Sequence, residues 1–311
     1  MRRGGQDSGS SRSRRFGHTM ALVEQPRSFR RIEPPPPGLC ALVTSPLRPL
    51  PNLLVIGAQK CGTTSLHMLL SLHPEICMAS AKECNELVRP RPTSSRYRGY
   101  FPMRRGVLRG RFRWFGESTP FYIFHPAVPS LASRWLRGVH AIAVLRDPVE
   151  RAWSHYRHNC RLGLESIPFE EAIDRESERM ALSDHGYRHH SYVARGCYAP
   201  QLERWFDALG RERVLVLEFS ELSRGAEGPR ADIARFLGLR SPVAGSLPHA
   251  NSGGKGCEGL DPRVRERLRA VFAPQEAALC RLVGRRFDWG GPSGDMSGEA
   301  SGDASGPAMG P

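Results

Sequence analysis

Leu53-Leu-Val-Ile-Gly-Ala-Gln-Lys-Cys-Gly-Thr-Thr-Ser-Leu66 is the stretch on which the fold turns. Four apolar residues, Leu53 to Ile56, have the length and composition of a short buried strand. Gly57 ends that strand, and Gly62 stands where the backbone must turn tightly. From Thr63 to His73 the spacing predicts a helix whose apolar face carries Leu66, Leu69 and Leu70. A strand, a glycine-bearing turn and a helix N-terminus make an anion site. Unpaired backbone N–H groups and the positive end of the helix dipole meet at one point.

What the loop lacks is as informative. A nucleotide-hydrolysing P-loop reads G-x-x-x-x-G-K-[ST], with its lysine directly after the second glycine. Gly57 and Gly62 keep that gap, but Thr63 occupies the lysine position and Lys60 has moved inside the loop. The architecture for holding phosphate is kept and the triphosphate grip is not.

The 311 residues suffice for one good-sized core, and an apolar content of 40% fits a soluble globular chain. A net charge of +14 favours anionic partners, so nucleic acid and membrane surfaces both need weighing. Nine Arg against Asp7, Glu24 and Glu33 put +6 of that charge in residues 1–50 and leave +8 for the rest. Of 45 basic residues only Lys60, Lys82 and Lys255 are lysines. Against such an arginine bias, a lysine marks a place where a compact ammonium can serve better than a planar guanidinium. The eight cysteines form no C-x-x-C pair, which weakens zinc and dithiol readings and leaves reduced thiols as the expectation. Cys61 reads as a small spacer, not a nucleophile, because no base partner is evident.

No apolar run reaches the roughly eighteen residues needed to span a bilayer, and the Arg/Ser-rich start lacks an apolar signal core. The expectation is a cytoplasmic protein without stable membrane insertion. Residues 1–50 and 290–311, rich in Arg, Ser, Pro and Gly, are expected to be disordered around a folded domain over 51–289.

Along that domain, further strands are predicted at Glu75–Met78, at the aromatic run leading into Gly116-Glu-Ser-Thr-Pro120, at His140–Leu145 and at Val214–Leu217. Helices are predicted from Pro148 and over Phe169–Met180, Tyr198–Leu209, Arg230–Leu237 and Pro262–Arg285, the last broken by Pro274. On the helix from Pro148, Arg151, Ser154, His155 and His158 read as the polar residues, with Ala152, Trp153 and Tyr156 toward the core. Residues 183–197 read as a loop bearing His and Arg. Alternating strands and helices predict an α/β fold: a P-loop-like three-layer sandwich with a central parallel sheet and helices on both faces.

Arg146 follows the strand 140–145, at the carboxyl end where open α/β sheets place ligands. Ser154 lies eight residues on, about two helical turns away. A guanidinium with a hydroxyl is a common phosphate clamp. Two such sites on one sheet edge suggest one ligand carrying two separated anions.

Lys60-Cys-Gly-Thr-Thr-Ser65, Arg146-Asp-Pro-Val-Glu-Arg-Ala-Trp-Ser154 and Lys255-Gly-Cys-Glu-Gly259 together resemble the sulfotransferases that use 3′-phosphoadenylyl sulfate (PAPS). The likeness runs from about Asn52 to Trp289 and is nearest the carbohydrate branch, the heparan sulfate N- and O-sulfotransferases and their bacterial relatives. The resemblance implies that Lys60, Cys61, Gly62, Thr63, Thr64 and Ser65 hold the 5′-phosphosulfate, with Lys60 offsetting charge on the leaving phosphate. It implies that Arg146 and Ser154 bind the 3′-phosphate and that Lys255, Gly256, Cys257, Glu258 and Gly259 close over the nucleotide. Glu83 falls where carbohydrate sulfotransferases carry the base, and Lys82 beside it would steer the sulfuryl group or acceptor. Burial is expected to raise the base's pKa toward neutrality. Glu117 is the rival, as base or as an acid that orients Lys60. No metal is required, since the donor has no triphosphate.

Two departures fall on the acceptor side. Glu86 and Leu87 stand where heparan-type relatives often have paired aromatics, and Ser118 stands where they often have lysine. His67 and His73 read as packing or surface residues. The cluster His185, His189, His190 lacks a metal-ligand spacing and reads as loop or acceptor-side polarity, and the basic run from Arg96 to Arg113 reads as a contact for an anionic saccharide or as a solvated basic loop. The reading is therefore a PAPS-dependent sulfotransferase acting on a hydroxyl or amine, with a glycan or other small acceptor as partner. The alternatives are a small-molecule kinase with a modified P-loop and a basic nucleic-acid-binding protein. The latter has no recognisable binding motif here.

Overall fold

A computed structural model describes residues 36–103, 112–245, 259–287 and 289. Five strands form one all-parallel sheet: β1 Leu53–Gly57, β2 Ile76–Met78, β3 Trp114–Ser118, β4 His140–Leu145 and β5 Val214–Glu218, in the order β2-β3-β1-β4-β5. All five β1 residues are buried, which is why this strand reads as a continuous apolar run with no alternation. It lies at the centre, with Leu53 aligned to Gly116 of β3 and to His140 of β4.

The order places the ligand crevice. The chain leaves β1 toward β2 on one side of the sheet and leaves β4 toward β5 on the other. Adjacent parallel strands whose continuations diverge leave a gap beyond their carboxyl ends, where open α/β sheets bind ligands. Lys60 follows β1 and Arg146 follows β4, so the topology delivers both to that gap.

Most helices stand close to their predicted bounds. The first spans Thr63–Ser71, and the helix after β4 spans Pro148–Arg161, with Pro148 at its first position and Asp147 as its cap, accepting from the Val149 N–H at 2.9 Å. Tyr198–Leu209 is helical as expected, burying Leu202 and Trp205.

Several expectations are corrected. Residues 36–50 are not a featureless arm, since Leu39–Val43 is helical, Ser45–Leu47 forms a 3₁₀ turn and Arg98 donates to the Arg48 carbonyl at 2.5 Å. Residues 1–35 and 290–311 lie outside the described residues. Phe169–Met180 divides into helices Phe169–Asp174 and Glu176–Leu182, and the segment 183–197 contains a helix at Asp184–His189. Pro274 does not break the last helix, which runs from Pro262 to Val283. Its two halves are pinned independently, Leu268 and Phe272 in one apolar cluster and Leu279 and Val283 in the main core, and that packing outweighs the lost backbone bond.

On the Pro148–Arg161 helix, Arg151 and His155 are fully buried. Trp153 and Tyr156 are half-buried and stack on each other at 5.4 Å beside Phe169. The inward face follows Pro148, Arg151, Ala152, His155 and Asn159, a three-and-four spacing that residue chemistry alone disguised.

Candidate active site

Gly62 occupies the left-handed region with φ 77°, and a Cβ there would come within 2.5 Å of the Phe219 ring. Glycine is therefore required twice, by conformation and by space. It is also the N-cap of the Thr63–Ser71 helix and supplies no side-chain acceptor, so the cap leaves the first-turn N–H groups to a ligand. Thr63 and Ser65 are buried and Thr64 is half-buried in that first turn. Cys61 is buried, 3.9 Å from the Tyr198 hydroxyl, and burial pushes its thiol up to about 11. That suits a spacer and disfavours a nucleophile.

Lys60, also at positive φ, is half-buried and makes no hydrogen bond or ion pair with the described residues. Burial first, then the charges of Arg161, Arg146 and Lys82, hold its ammonium down to about 8. The charges of three other cations thus bear on Lys60. Phe219 and Tyr198 tie the loop to Arg146. The Phe219 ring backs Gly62 and carries the Arg146 guanidinium at 5.6 Å, while Tyr198 donates to the Arg146 carbonyl at 2.9 Å. Arg146 is further held by Glu150 at 3.6 Å. Ser154 is half-buried two turns along the same helix. Lys255, Gly256, Cys257 and Glu258 lie outside the described residues, and Gly259 is exposed just ahead of the Pro262 helix.

Glu83 stands in a turn at φ 59°, its N–H bonded to the Ser118 carbonyl at 2.9 Å, beyond the end of β3. The expected burial is not found, because its side chain is 47% exposed and paired with Lys82 at 2.7 Å. His158, on the Pro148–Arg161 helix, is half-buried. Burial, Lys60 and Arg161 hold its imidazole below the ordinary range while Glu83 pulls the other way. Glu117 is fully buried and accepts from the Tyr97 and Thr119 hydroxyls, each at 2.9 Å, and not from Lys60. Burial raises its carboxyl to about 7 despite those bonds.

His67 and His73 pack as expected, and the acceptor-side candidates are in part tied into the fold. His67 is bonded to Ser118 at 3.0 Å and kept neutral by burial and Lys82, and His73 meets the Ser241 carbonyl at 3.1 Å. Glu86 is buried under Arg96 at 2.8 Å and Arg89 at 3.2 Å, while Arg113 pairs with Glu75 at 3.5 Å. Residues 104–111 of the basic run lie outside the described residues. His185 and His189 stack at 4.7 Å, and His190 meets the Leu164 carbonyl at 3.0 Å.

Sequence reasoning missed three groups. Arg151 is buried with two guanidinium nitrogens unpartnered, and neither ring nitrogen of His155 has a partner, among the described residues. Arg195, also buried, donates to the Gln59 side chain inside the donor loop at 2.6 Å. Periodicity signalled the first two. Nothing local signals Arg195, which lies 136 residues from its partner.

A family model for the sulfotransferase domain matches residues 50–248, more than half of the chain. The human heparan sulfate glucosamine 3-O-sulfotransferase 3A1 is 26% identical over 83% of this chain and 67% of its own length. The mouse bifunctional heparan sulfate N-deacetylase/N-sulfotransferase 1 is also 26% identical, over 62% of this chain and 22% of its own length. A sulfotransferase from Alicyclobacillus acidocaldarius, solved by crystallography, is 30% identical, with a TM-score of 0.61 covering 77% of this chain and 98% of that one. None of these matches supports the kinase alternative. With a glycine-hinged anion loop at the carboxyl edge of an all-parallel sheet, carrying a lysine unpaired among the described residues, and a family model matched over more than half its length, the chain belongs to the sulfotransferase-domain family, enzymes of sulfuryl transfer.

Proposed function

We propose that the donor is PAPS and that the acceptor is a hydroxyl or amine of a carbohydrate. The observation that carries this reading is the Gly62-hinged loop, whose Lys60 has no hydrogen-bonded or ion-paired partner among the described residues and whose hinge shares the Phe219 ring with Arg146. Like charges near one another repel, and a nucleotide with phosphate at one end and phosphosulfate at the other supplies two anions to join them.

In this reading the Gly62-capped helix and Lys60 take the phosphosulfate, and Arg146 with Ser154 takes the 3′-phosphate. The acceptor oxygen or nitrogen bonds to sulfur as the bond from sulfur to the 5′-phosphate oxygen breaks. The leaving electron pair stays on that phosphate, where Lys60 offsets the charge. Glu83, half-exposed at the crevice, takes the acceptor proton. Such a displacement is accelerated mainly by positioning and charge stabilisation. The heparan-sulfate names of the relatives support a glycan acceptor. A cytoplasmic site of action is part of the proposal. It is in keeping with the cysteines among the described residues, which are all free thiols, and cell fractionation checks it.

The test is incubation of the purified chain with radiolabelled PAPS and a panel of glycans, lipids and small alcohols, beside calorimetric titration with 3′,5′-bisphosphoadenosine without metal. Binding of that nucleotide and label transfer to a glycan are expected. Absence of nucleotide binding overturns the donor assignment, and transfer only to lipids or small alcohols overturns the acceptor assignment.

A further inference from the structure

A continuous line of hydrogen bonds runs through the crevice wall from the donor loop to the Glu83 turn. Arg195 donates through one terminal nitrogen to the Gln59 Oε1 at 2.6 Å and through the other to the Arg188 carbonyl at 2.6 Å. The Arg188 guanidinium donates to the Asn85 Oδ1 at 3.2 Å, and the Asn85 amide donates to the Glu83 carbonyl at 2.6 Å. Each end of the line carries side chains at positive φ: Lys60 at 70° beside Gln59, and Glu83 at 59° with Asn85 at 54°. Backbones held in that region by residues other than glycine need their surroundings to over-determine them.

Both guanidinia are braced on one ring. Phe121 carries Arg188 at 5.0 Å and Arg195 at 4.7 Å, and Phe124 carries Arg195 at 5.1 Å. Arg195 is 4% exposed, and its side-chain bonds run to a hydroxyl, an amide and a carbonyl, with no carboxylate among them. A buried cation with no hydrogen-bonded carboxylate among the described residues is a poor choice for stability alone. Three donors spent on fixing neighbours is a good choice for geometry.

We propose that Arg195 and Arg188 are positioning residues that strap the Gln59–Lys60 loop to the Asn85–Glu83 turn, keeping the leaving-group cation and the base at one spacing. This rests on the donor and base assignments above. The strap couples the two sites: a nucleotide that orders the donor loop also orders the base turn. It differs from a packing role, which would stabilise both regions without linking them.

Amide hydrogen exchange on the full chain with and without 3′,5′-bisphosphoadenosine tests this. In the wild type, the nucleotide is expected to slow exchange at the Glu83 and Asn85 amides about tenfold. In Arg188→Met and in Asn85→Gly the nucleotide should bind with unchanged affinity while that slowing is lost. Asn85→Gly keeps the positive φ without strain, so it cuts the strap in a folded protein. With the best acceptor of the panel, both variants should lose kcat by about tenfold to a hundredfold at unchanged KM for PAPS, the double variant should be no worse than either single one, and Arg188→Lys should recover part of the loss. Slowing that persists in the variants, slowing absent in a wild type that binds nucleotide, or a loss confined to KM overturns the strap. A wild type that binds no nucleotide overturns the donor assignment and takes the strap with it.

Discussion

The Gly62 loop and the Glu83 turn, proposed as donor and base sites, are built in opposite ways. The loop is sunk into the core, hinged on a glycine that Phe219 leaves no room to replace, and its lysine is left unpaired among other cations. The turn is anchored by the buried Cys84 and Asn85, and its half-exposed carboxylate already has a partner in Lys82. The loop holds a desolvated ammonium among like charges, which a bound anion or loss of its proton relieves, whereas the Glu83 carboxylate has its counter-ion. In the proposed reading, donor recognition is a property of the sheet edge, and acceptor recognition is left to side chains that can exchange partners.

The sharpest way to break this contrast is to remove charge from the loop. Lys60→Ala and Arg146→Ala should each cut turnover by about a thousandfold or more in a radiolabel-transfer assay, the scale of losing a principal transition-state stabiliser. Wild-type turnover in Lys60→Ala would detach the loop from the chemistry. Glu83→Gln should lower kcat by about a hundredfold and leave nucleotide affinity intact, read by calorimetry beside steady-state rates. If kcat survives, the base lies elsewhere.

A smaller effect concerns protons. Lys60 is held to about 8, below its ordinary range, so the free protein sheds this proton as pH rises through that value. An anion at the loop restores it. Nucleotide binding at pH 8 should therefore take up part of a proton, seen as a dependence of binding enthalpy on buffer ionisation, and Lys60→Met should abolish the uptake. For stability the sign follows from the unfolded chain keeping this proton to higher pH. The burial cost is fully present below about 8 and is relieved as pH climbs toward the ordinary lysine value.

The least disruptive change separates the two carboxylates. Glu117, raised to about 7 by burial, holds its proton where an unfolded carboxyl has lost it. Its contribution is fully present below the ordinary carboxyl range and is lost as pH rises through about 7. Glu117→Gln mimics the protonated form, so it should raise stability by about 1–3 kcal/mol at pH 8, leave it nearly unchanged at pH 5, and keep turnover within about twofold. A collapse of turnover would make Glu117 the base. Burial and a raised pKa are usual marks of a catalytic acid or base. Here they belong to the carboxylate that braces Tyr97 and Thr119, while the base role is proposed for the half-exposed Glu83.

Much of the donor side was legible in the chain. Glycine spacing, the apolar run of β1 and the strand ending at Arg146 are local signals, and local geometry follows from them. The sheet order was not legible, and it is what brings Arg146 beside Lys60. Arg151 and His155 were misread because their chemistry suggests solvent, while their helical spacing with Ala152 and Asn159 puts them inside. The last helix was misread at Pro274 because a single residue's preference was weighed without the packing on either side of it.

The amino-acid sequence by itself determined a glycine-hinged anion loop on a parallel sheet and a short roster of candidate cations and acids, because each of these depends on neighbours a few residues away. Only the tertiary structure decided which carboxylate is buried and which half-exposed, which arginines are buried, and that Arg195 reaches across to Gln59. Those are matters of long-range closure, where burial and contact are fixed by strand order and packing and leave no periodic trace in the chain.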